Sequence, residues 1–515
     1  MSCAVNRRGL IFNAAASAVA AVMFAGLAQW TAAPAVAQEV EFRPPRPLIF
    51  VPGLMGSRLC RSNPADPGKP EVVWGTVGAL REFPNIRLPR DAGVRDGIGP
   101  CGLLREIAVL GGLRQHYYGP VIQHLESIGY REGRDLFAFD YDWRRSALDN
   151  ARALDFFIQA KAGDNPVDIL AHSMGGIVAR IYTVEYGVGR VARLFSAGAP
   201  FLGAAKVFQT MEKGWGTLNV AMGGLSGFRR TMLSFPSIFE VMARYDGCCV
   251  NGAEHFQPSA AESWASLGWE GVDPAAMPDL VATFDRVREI NRLIAAPLPV
   301  DIEEVLLIGV DQRTTRRVIF ERSGKTVALR VQTSWAGDGT VLRDSAILPR
   351  RATHPTSFAV HERILLDPQI QEFLRVALVK GVTAAIDGVP VRPRGAVASI
   401  TGEVTELVGI AVETAEPAYA TDDKGAVRVH VRLGAPVRLP PKAIRLSHTM
   451  PDGTEGVIPL AAAPSVSEPG NPFEQSFVGT FPTGRAAGLG RLRAVVTLDK
   501  APPRIVDEPV LVVAR

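Results

Sequence analysis

The segment Ala171-His172-Ser173-Met174-Gly175 has the residue types and spacing of a nucleophile elbow of the G-x-S-x-G type. A serine hydroxyl is a poor nucleophile at neutral pH, so a fold that uses one must present it on a sharp turn beside a base. Residues 167–171 predict a strand before Ser173, and residues 177–185 predict a helix after it. Ala171 replaces the first glycine of the pattern, but the context predicts that Ser173 is a nucleophile.

The elbow order requires an acid and then a histidine downstream of the serine. Of the eight histidines, His354 and His361 follow Ser173 and lie outside both the long insertion and the β-rich tail. His361 opens a predicted helix directly after a loop, which is where the base of such an enzyme belongs. His354 precedes Pro355 in a loop and is expected at the surface or behind the base.

The acid and the oxyanion donors follow from similar reasoning. Asp338 lies between two glycines at a predicted strand end, in a turn that can point its carboxylate at an imidazole. Asp344 and Asp311 are the alternatives, without such a turn. Backbone N–H groups stabilise the oxyanion in this type of site, one after the nucleophile and one after an early strand. These are expected to be the N–H groups of Met174 and Leu54.

The N-terminus has the features of a secretory signal peptide. Arg7 and Arg8 precede an apolar run over residues 9–30, and an Ala-x-Ala pattern ends at Ala37. We therefore expect a leader over residues 1–37 and an exported protein, periplasmic or extracellular. An uncleaved membrane anchor is the alternative, because the run approaches the length of a spanning helix. The net charge of +4 on 515 residues does not favour nucleic acid as a partner.

Export makes disulfides possible among the four cysteines beyond the leader. Three pairings of Cys60, Cys101, Cys248 and Cys249 exist. We favour Cys60 with Cys101, because they bracket one Pro/Gly-rich insertion, and this leaves Cys248 to Cys249, although a ring between adjacent cysteines is strained. The thiols lack histidines at ligand spacing, so neither a metal site nor a cofactor is expected.

Short apolar runs alternate with helical patterns through most of the chain. The runs are fully apolar, as in buried parallel strands, and helices are predicted over residues 117–128 and 151–162. This alternation predicts a doubly wound parallel sheet, and together with the elbow it predicts an α/β-hydrolase domain over residues 38–383. The predicted strands lie at residues 48–51, 136–139, 167–171, 192–196 and 305–309.

Three regions depart from the alternation. A lid over residues 60–101 and a cap over residues 201–299 are expected above the carboxyl edge of the sheet. The cap is rich in Met and aromatic residues, which suits either an adaptable apolar surface or an ordinary helical core. Residues 384–515 show short alternating segments separated by Pro/Gly turns, which predict a small all-β sandwich without a catalytic constellation.

Beyond these patterns, the sequence resembles the lecithin:cholesterol acyltransferase family of α/β-hydrolases, which includes lysosomal phospholipase A2 and the phospholipid:diacylglycerol acyltransferases. The resemblance covers about residues 46–380 and leaves out the tail, and residues 60–101 differ in composition from the family's lid. Its motifs are Val51-Pro52-Gly53-Leu54-Met55-Gly56-Ser57, Trp74-Gly75, Tyr141-Asp142-Trp143-Arg144, Ala171-His172-Ser173-Met174-Gly175-Gly176, Gly198-Ala199-Pro200-Phe201-Leu202-Gly203, Ser234-Phe235-Pro236-Ser237, Gly337-Asp338-Gly339-Thr340-Val341 and His361.

The resemblance implies a triad of Ser173, Asp338 and His361 and a disulfide-clasped lid that holds Trp74 over the site. It also implies a serine esterase, lipase or phospholipase, or an O-acyltransferase, acting on acyl chains of glycerolipids at a membrane surface. The acyl acceptor, water or a lipid alcohol, stays open. The alternative is a catalytically inert hydrolase fold that binds envelope lipids or a protein partner.

Overall fold

A computed structural model describes residues 44–63, 66, 68–89, 96–108, 114–215, 219, 222–251, 254–255, 258, 264, 280–323, 326–348, 354–388, 407–414, 418–433, 439–463, 474–497 and 503–514. The expected leader over residues 1–37 lies outside these residues. Within them, no helix combines the length and the apolar composition needed to cross a bilayer.

The centre of the fold is a six-stranded sheet in which every recorded pair of neighbours is parallel. The five predicted strands are present with small shifts at their ends, and a two-residue strand at the sheet edge is added to them. From one edge to the other, the strands are Thr356–Ser357, Glu303–Gly309, Val191–Ala197, Val167–His172, Leu48–Val51 and Leu136–Ala138.

Both faces of this sheet are buried, which explains why its strands are continuously apolar. Alternate side chains point to opposite faces, so Ile49 and Val51 belong to one apolar cluster and Leu48 and Phe50 to another. One face packs against the helices Ala147–Ala162, Met174–Glu185 and Leu280–Ala295, and the other against Gly119–Ser127, Pro368–Lys380 and Val382–Gly388. The α/β-hydrolase fold class is thereby confirmed.

The strand order places the chain reversal beside the nucleophile strand. From Leu48–Val51 the chain moves outward to Leu136–Ala138 and then crosses to Val167–His172 on the other side of the first strand. The loops after the neighbouring strands Leu48–Val51 and Val167–His172 therefore run in opposite directions from one point of the carboxyl edge. Open α/β sheets bind their ligands at such a switch point.

The lid expected over residues 60–101 contains a small antiparallel sheet. Strand Ser57–Arg61 pairs with Glu71–Trp74 on one side and Ile98–Leu103 on the other, and a 3₁₀ helix covers Gly78–Ile86. Cys60 is joined to Cys101 across two of these strands. Cys248 is also joined to Cys249.

Within the described residues, the cap expected over residues 201–299 contains the helices Lys206–Lys213, Gly224–Met232, Pro236–Val241 and Leu280–Ala295. Its Met and aromatic side chains, including Met211, Phe228 and Phe235, are buried in the main apolar cluster, so they fill a core. The strands Cys249–Asn251 and Glu254–His255 join a hairpin, Thr314–Ser323 with Thr326–Ser334, in a second sheet.

The C-terminal residues form two antiparallel-rich sheets around a separate apolar cluster, which confirms the expected all-β tail. The first sheet contains Leu407–Thr414, Lys424–Leu433, Glu474–Pro482 and Ala461–Ala463, and the second contains Ala418–Ala420, Arg504–Val513, Gly488–Val496, Ile444–Thr449 and Glu455–Ile458. The boundary expected at residue 384 falls inside helix Val382–Gly388. Val382 and Ala385 of that helix pack in the body cluster with Ile370.

Candidate active site

Ser173 sits on the turn between strand Val167–His172 and helix Met174–Glu185. Its φ of 55° and ψ of −129° are rare for a residue with a side chain, as a nucleophile elbow requires. Gly175 has to be glycine, because a Cβ there would lie 2.3 Å from the carbonyl oxygen of Pro52. Ala171 is tolerated because it is an ordinary buried strand position, paired with Val51 and Ser196.

The imidazole beside Ser173 belongs to His361. The distance from His361 Nε2 to Ser173 Oγ is 2.9 Å. His361 begins the 3₁₀ helix His361–Leu366, and its backbone N–H donates to the carbonyl of Asp338 at 2.8 Å. His354 precedes the edge strand Thr356–Ser357 instead, so the structure brings only one of the two candidate bases to the serine.

Asp338 is the carboxylate that contacts this imidazole. Its Oδ2 lies 2.7 Å from His361 Nδ1, and its side chain is 1% exposed. Its Oδ1 accepts the backbone N–H groups of Thr340 at 2.8 Å and Val341 at 2.6 Å. Of the alternatives, Asp344 is exposed and Asp311 lies before the hairpin of the second sheet.

Two glycines that sequence reasoning did not single out for the site leave room for this pair. A Cβ on Gly309 would lie 2.3 Å from Asp338 Cβ. Gly198 has a φ of 57°, and a Cβ on it would lie 3.0 Å from His361 Nδ1 and 3.1 Å from Asp338 Oδ2. Any side chain at either position would push the acid and the base apart.

The charge balance of the site favours a basic imidazole. Burial lowers the pKa of His361, but the charge of Asp338 and its hydrogen bond outweigh burial and raise the pKa above the ordinary value of 6.5. Asp338 therefore holds the imidazole in the tautomer with hydrogen on Nδ1, which leaves Nε2 free to accept the serine proton.

Of the two residues whose N–H groups are expected to bind an oxyanion, Leu54 lies in the loop after strand Leu48–Val51 and Met174 begins helix Met174–Glu185. Gly53 allows the close approach, because a Cβ there would lie 2.8 Å from Ser173 Cβ. Within the described residues, no hydrogen bond is recorded from the N–H of Leu54 or Met174, so both are available to a substrate oxygen.

The loop over residues 52–57 is held by side-chain hydrogen bonds as well as by strand pairing. Tyr141 donates its hydroxyl to the carbonyl of Pro52 at 2.8 Å, and the indole of Trp143 donates to the carbonyl of Ser57 at 3.0 Å. Trp74 donates its indole N–H to the carbonyl of Met55 at 3.1 Å. Trp74 is 7% exposed and packs edge-on against Trp143, so it supports the loop from the lid side.

The motif Tyr141-Asp142-Trp143-Arg144 is built around a buried cation. A strand-end Asp beside Arg is typical of a structural ion pair, which is how we interpret this motif. Arg144 contacts Asp142 at 2.7 Å and Asp96 at 2.6 Å. As to metals, no group of three or more His, Cys, Asp or Glu side chains within the described ranges is arranged to hold an ion.

Sequence reasoning missed two polar side chains that contact this site. Tyr118 contacts His172 and Gly53, and His172 contacts the backbone of His361. His172 lies inside the elbow motif, which is the one signal the sequence offers. Tyr118 has no such signal, because its partners are 54 or more positions away along the chain.

Comparison with known proteins adds a family match to this geometry. The family model described as lecithin:cholesterol acyltransferase matches residues 76–249, which include Ser173 but end before Asp338 and His361. The lecithin-cholesterol acyltransferase-like 4 protein of Arabidopsis thaliana is 26% identical over 242 residues, 39% of this chain and 43% of the relative. The chain thus spans less than half the length of the curated relative it matches.

Solved structures with a similar arrangement include a chain of the Tle4–Tli4 complex, at 16% identity and a TM-score of 0.43, covering 67% of this chain and 99% of that one. A metagenomic carboxyl esterase has 14% identity and a TM-score of 0.27, covering 66% of this chain and 74% of its own. The family match and the curated relative confirm the resemblance of this chain to the lecithin:cholesterol acyltransferase family.

Proposed function

We propose that this protein is a serine hydrolase that cleaves or transfers the acyl chains of lipid esters through an acyl-enzyme on Ser173. The observation that carries the proposal is the continuous hydrogen-bonded chain from Ser173 Oγ through His361 to Asp338. The match to the family model and the strained elbow support it. Neither a metal nor a cofactor is needed for this chemistry.

In the first half-reaction, Ser173 Oγ attacks the carbonyl carbon of the ester while His361 Nε2 takes the serine proton. The N–H groups of Leu54 and Met174 hold the oxygen that becomes negative. When the tetrahedral intermediate collapses, the bond to the leaving alcohol breaks, and His361 returns the proton to that alcohol. The acyl chain is then esterified to Ser173.

In the second half-reaction, His361 deprotonates a second nucleophile, which attacks the acyl-enzyme and restores Ser173. Water gives hydrolysis, and a lipid alcohol gives transfer. We propose that hydrolysis dominates in dilute detergent and that transfer appears when a membrane supplies an alcohol at high local concentration. Product analysis by mass spectrometry, with labelled phospholipid vesicles with and without a sterol or diacylglycerol, tests this. Free fatty acid as the sole product with every acceptor would exclude transfer.

The first experiment is labelling with a fluorophosphonate probe. The wild-type protein should be labelled, and Ser173→Ala should not be. Ser196→Ala is the matched control, since Ser196 is buried on the neighbouring strand and its hydroxyl has no partner among the described residues. Absence of labelling in folded wild-type protein would favour the alternative, an inert fold that binds lipids or a protein partner.

We further propose that the protein is exported and that its leader is removed after Ala37. The Arg7-Arg8 pair and the Ala-x-Ala pattern support this, as does the disulfide between Cys60 and Cys101, which an oxidising compartment permits. N-terminal sequencing of the protein recovered from outside the cytoplasm should begin at Gln38. A mature protein that still starts at Met1 in the membrane fraction would show an anchor instead.

For the domain division, we propose a hydrolase body that ends after helix Val382–Gly388 and a β domain with its own core. The separate apolar cluster of the tail supports this division. Arg313 Nη1 contacts His430 Nε2 at 2.8 Å, so the β domain also contacts the body. A chain ending after Gly388 should fold and hydrolyse a soluble short-chain ester. An insoluble product would show that the β domain completes the core of the body.

A further inference from the structure

A chain of hydrogen bonds lies beside the triad and connects the loop of the oxyanion donor to the residue that carries the base. The N–H of Gly53 donates to Tyr118 Oη at 2.9 Å, and Tyr118 Oη lies 2.8 Å from His172 Nδ1. His172 Nε2 lies 3.0 Å from the carbonyl oxygen of His361. His172 is buried, whereas the Tyr118 ring is partly exposed.

The direction of every bond in this chain is fixed by chemistry. The carbonyl of His361 can only accept, so His172 carries its hydrogen on Nε2 and leaves Nδ1 as an acceptor. Tyr118 therefore donates its hydroxyl hydrogen to Nδ1 and accepts the N–H of Gly53 on its oxygen. Burial lowers the pKa of His172 to about 4, and the positive charge of His361 acts in the same direction, so the ring is neutral at physiological pH.

Each end of this chain lies in, or next to, a residue that acts on the substrate. Gly53 precedes Leu54, whose N–H is a proposed oxyanion donor. The carbonyl of His361 belongs to the residue whose imidazole takes the serine proton. Tyr118 itself is anchored apart from the elbow: its N–H donates to the carbonyl of Leu104 at 3.2 Å, and its ring packs edge-on against Phe50.

We propose that Tyr118 and His172 are positioning residues that act together as one unit, here called the relay. The relay keeps the Leu54 N–H, which binds the oxyanion, at a fixed distance from the His361 imidazole, which acts as the base. The proposal rests on the proposed function of this site. Neither side chain contacts the substrate in this role. Their contribution is to keep two elements, separated by about 300 positions in sequence, at a fixed distance during the reaction.

The test is Tyr118→Phe, which deletes one hydroxyl and keeps the ring. It leaves the N–H of Gly53 without its acceptor and frees the donor loop. Losing an oxyanion donor outright lowers kcat by about 10² to 10³, so a loosened donor should lower kcat by roughly 10-fold to 100-fold. Because the donor acts on the transition state, KM for a short-chain ester should stay within about twofold. A proportional rise in KM without a change in kcat would overturn the proposal.

Tyr130→Phe is the matched control. Tyr130 is a buried tyrosine whose hydroxyl has no hydrogen-bond partner among the residues that the structure describes. Its removal should leave kcat within about twofold. The double variant Tyr118→Phe/His172→Asn should be no slower than the slower single variant by more than about twofold, since residues of one unit are not additive. If the losses in kcat of the two single variants multiplied in the double variant, the relay would be wrong.

Hydrogen exchange of the peptide that contains Gly53 separates this proposal from the proposed function. Exchange at that amide should be faster in Tyr118→Phe than in the wild type and unchanged in Tyr130→Phe. If the wild-type protein takes the fluorophosphonate label but neither exchange nor kcat responds to Tyr118→Phe, the relay is wrong and the enzyme assignment stands. If exchange responds but the wild-type protein is never labelled, the proposed function fails, and the positioning role fails with it.

Discussion

Replacing Asp338 with asparagine should disable the base while changing the site by one atom. Oδ1 of Asp338 accepts two backbone N–H groups, from Thr340 at 2.8 Å and from Val341 at 2.6 Å. An asparagine must keep its carbonyl oxygen there, because turning the amide over would set its NH2 group against two donors. Each unpaired buried donor costs about 1–3 kcal/mol, so the turned amide is disfavoured by roughly 2–6 kcal/mol.

The NH2 group of Asp338→Asn therefore faces His361 Nδ1, where the carboxylate Oδ2 lies at 2.7 Å. It donates to Nδ1 and forces the imidazole hydrogen onto Nε2. Protonated Nε2 cannot accept the proton of Ser173. The same replacement in a serine protease triad lowers kcat by about 10⁴, and we expect a similar loss here, equivalent to about 5.4 kcal/mol of transition-state stabilisation.

The assay is steady-state hydrolysis of a p-nitrophenyl ester, with thermal unfolding measured alongside to show that the variant is folded. Asp344→Asn is the matched control, because Asp344 is six positions away, exposed, and the competing candidate for the acid. It should retain kcat within about threefold. A folded Asp338→Asn variant with more than a tenth of wild-type kcat, or a comparable loss in Asp344→Asn, would refute this assignment of the acid.

Four other outcomes follow from the structure. His361→Ala should lower kcat by more than about 10³, and His354→Ala by less than about threefold; the reverse would reassign the base. Because the His361 pKa lies above 6.5, kcat/KM should fall toward acid with a midpoint above that pH. A Cys60→Ser/Cys101→Ser variant should lose about 3 to 4 kcal/mol of unfolding free energy, measured in urea. Burial raises the pKa of Glu240 to about 7 from 4.5, so between these pH values the folded state binds an extra proton. The free energy of unfolding should therefore fall as pH rises between these values, by on the order of 3 kcal/mol. Glu240→Gln should flatten this pH dependence in melting curves.

The sequence alone was sufficient to predict the fold class and the family resemblance. Buried parallel strands are continuously apolar, so the five main strands were visible as runs, whereas Thr356–Ser357 is too short to leave a pattern. The hairpin Thr314–Ser334 was missed, because its first strand carries charged residues and pairs with Cys249–Asn251 from the distant cap. Helix Val382–Gly388 was missed because it spans the expected boundary at residue 384 and its seven residues leave little helical periodicity.

The candidate site, like the fold, could be predicted only in part. Ser173, Asp338 and His361 were chosen from local signals: a strained turn between small residues, a carboxylate between two glycines, and a histidine at a helix start. Each of these signals lies within a few consecutive residues, because those residues determine the backbone conformation of the turn or the helix start. The structure adds the distances between the three side chains.

The tertiary structure alone decided what surrounds them. Nothing in the local sequence shows that Gly198 and Gly309 lie beside the triad, and their need to be glycine arises because Asp338 and His361 pack against them. Tyr118 meets Gly53 and His172 across 65 and 54 positions. A hydrogen bond over such a separation leaves no periodicity in the chain, since it depends on the strand order that brings the switch-point loops together.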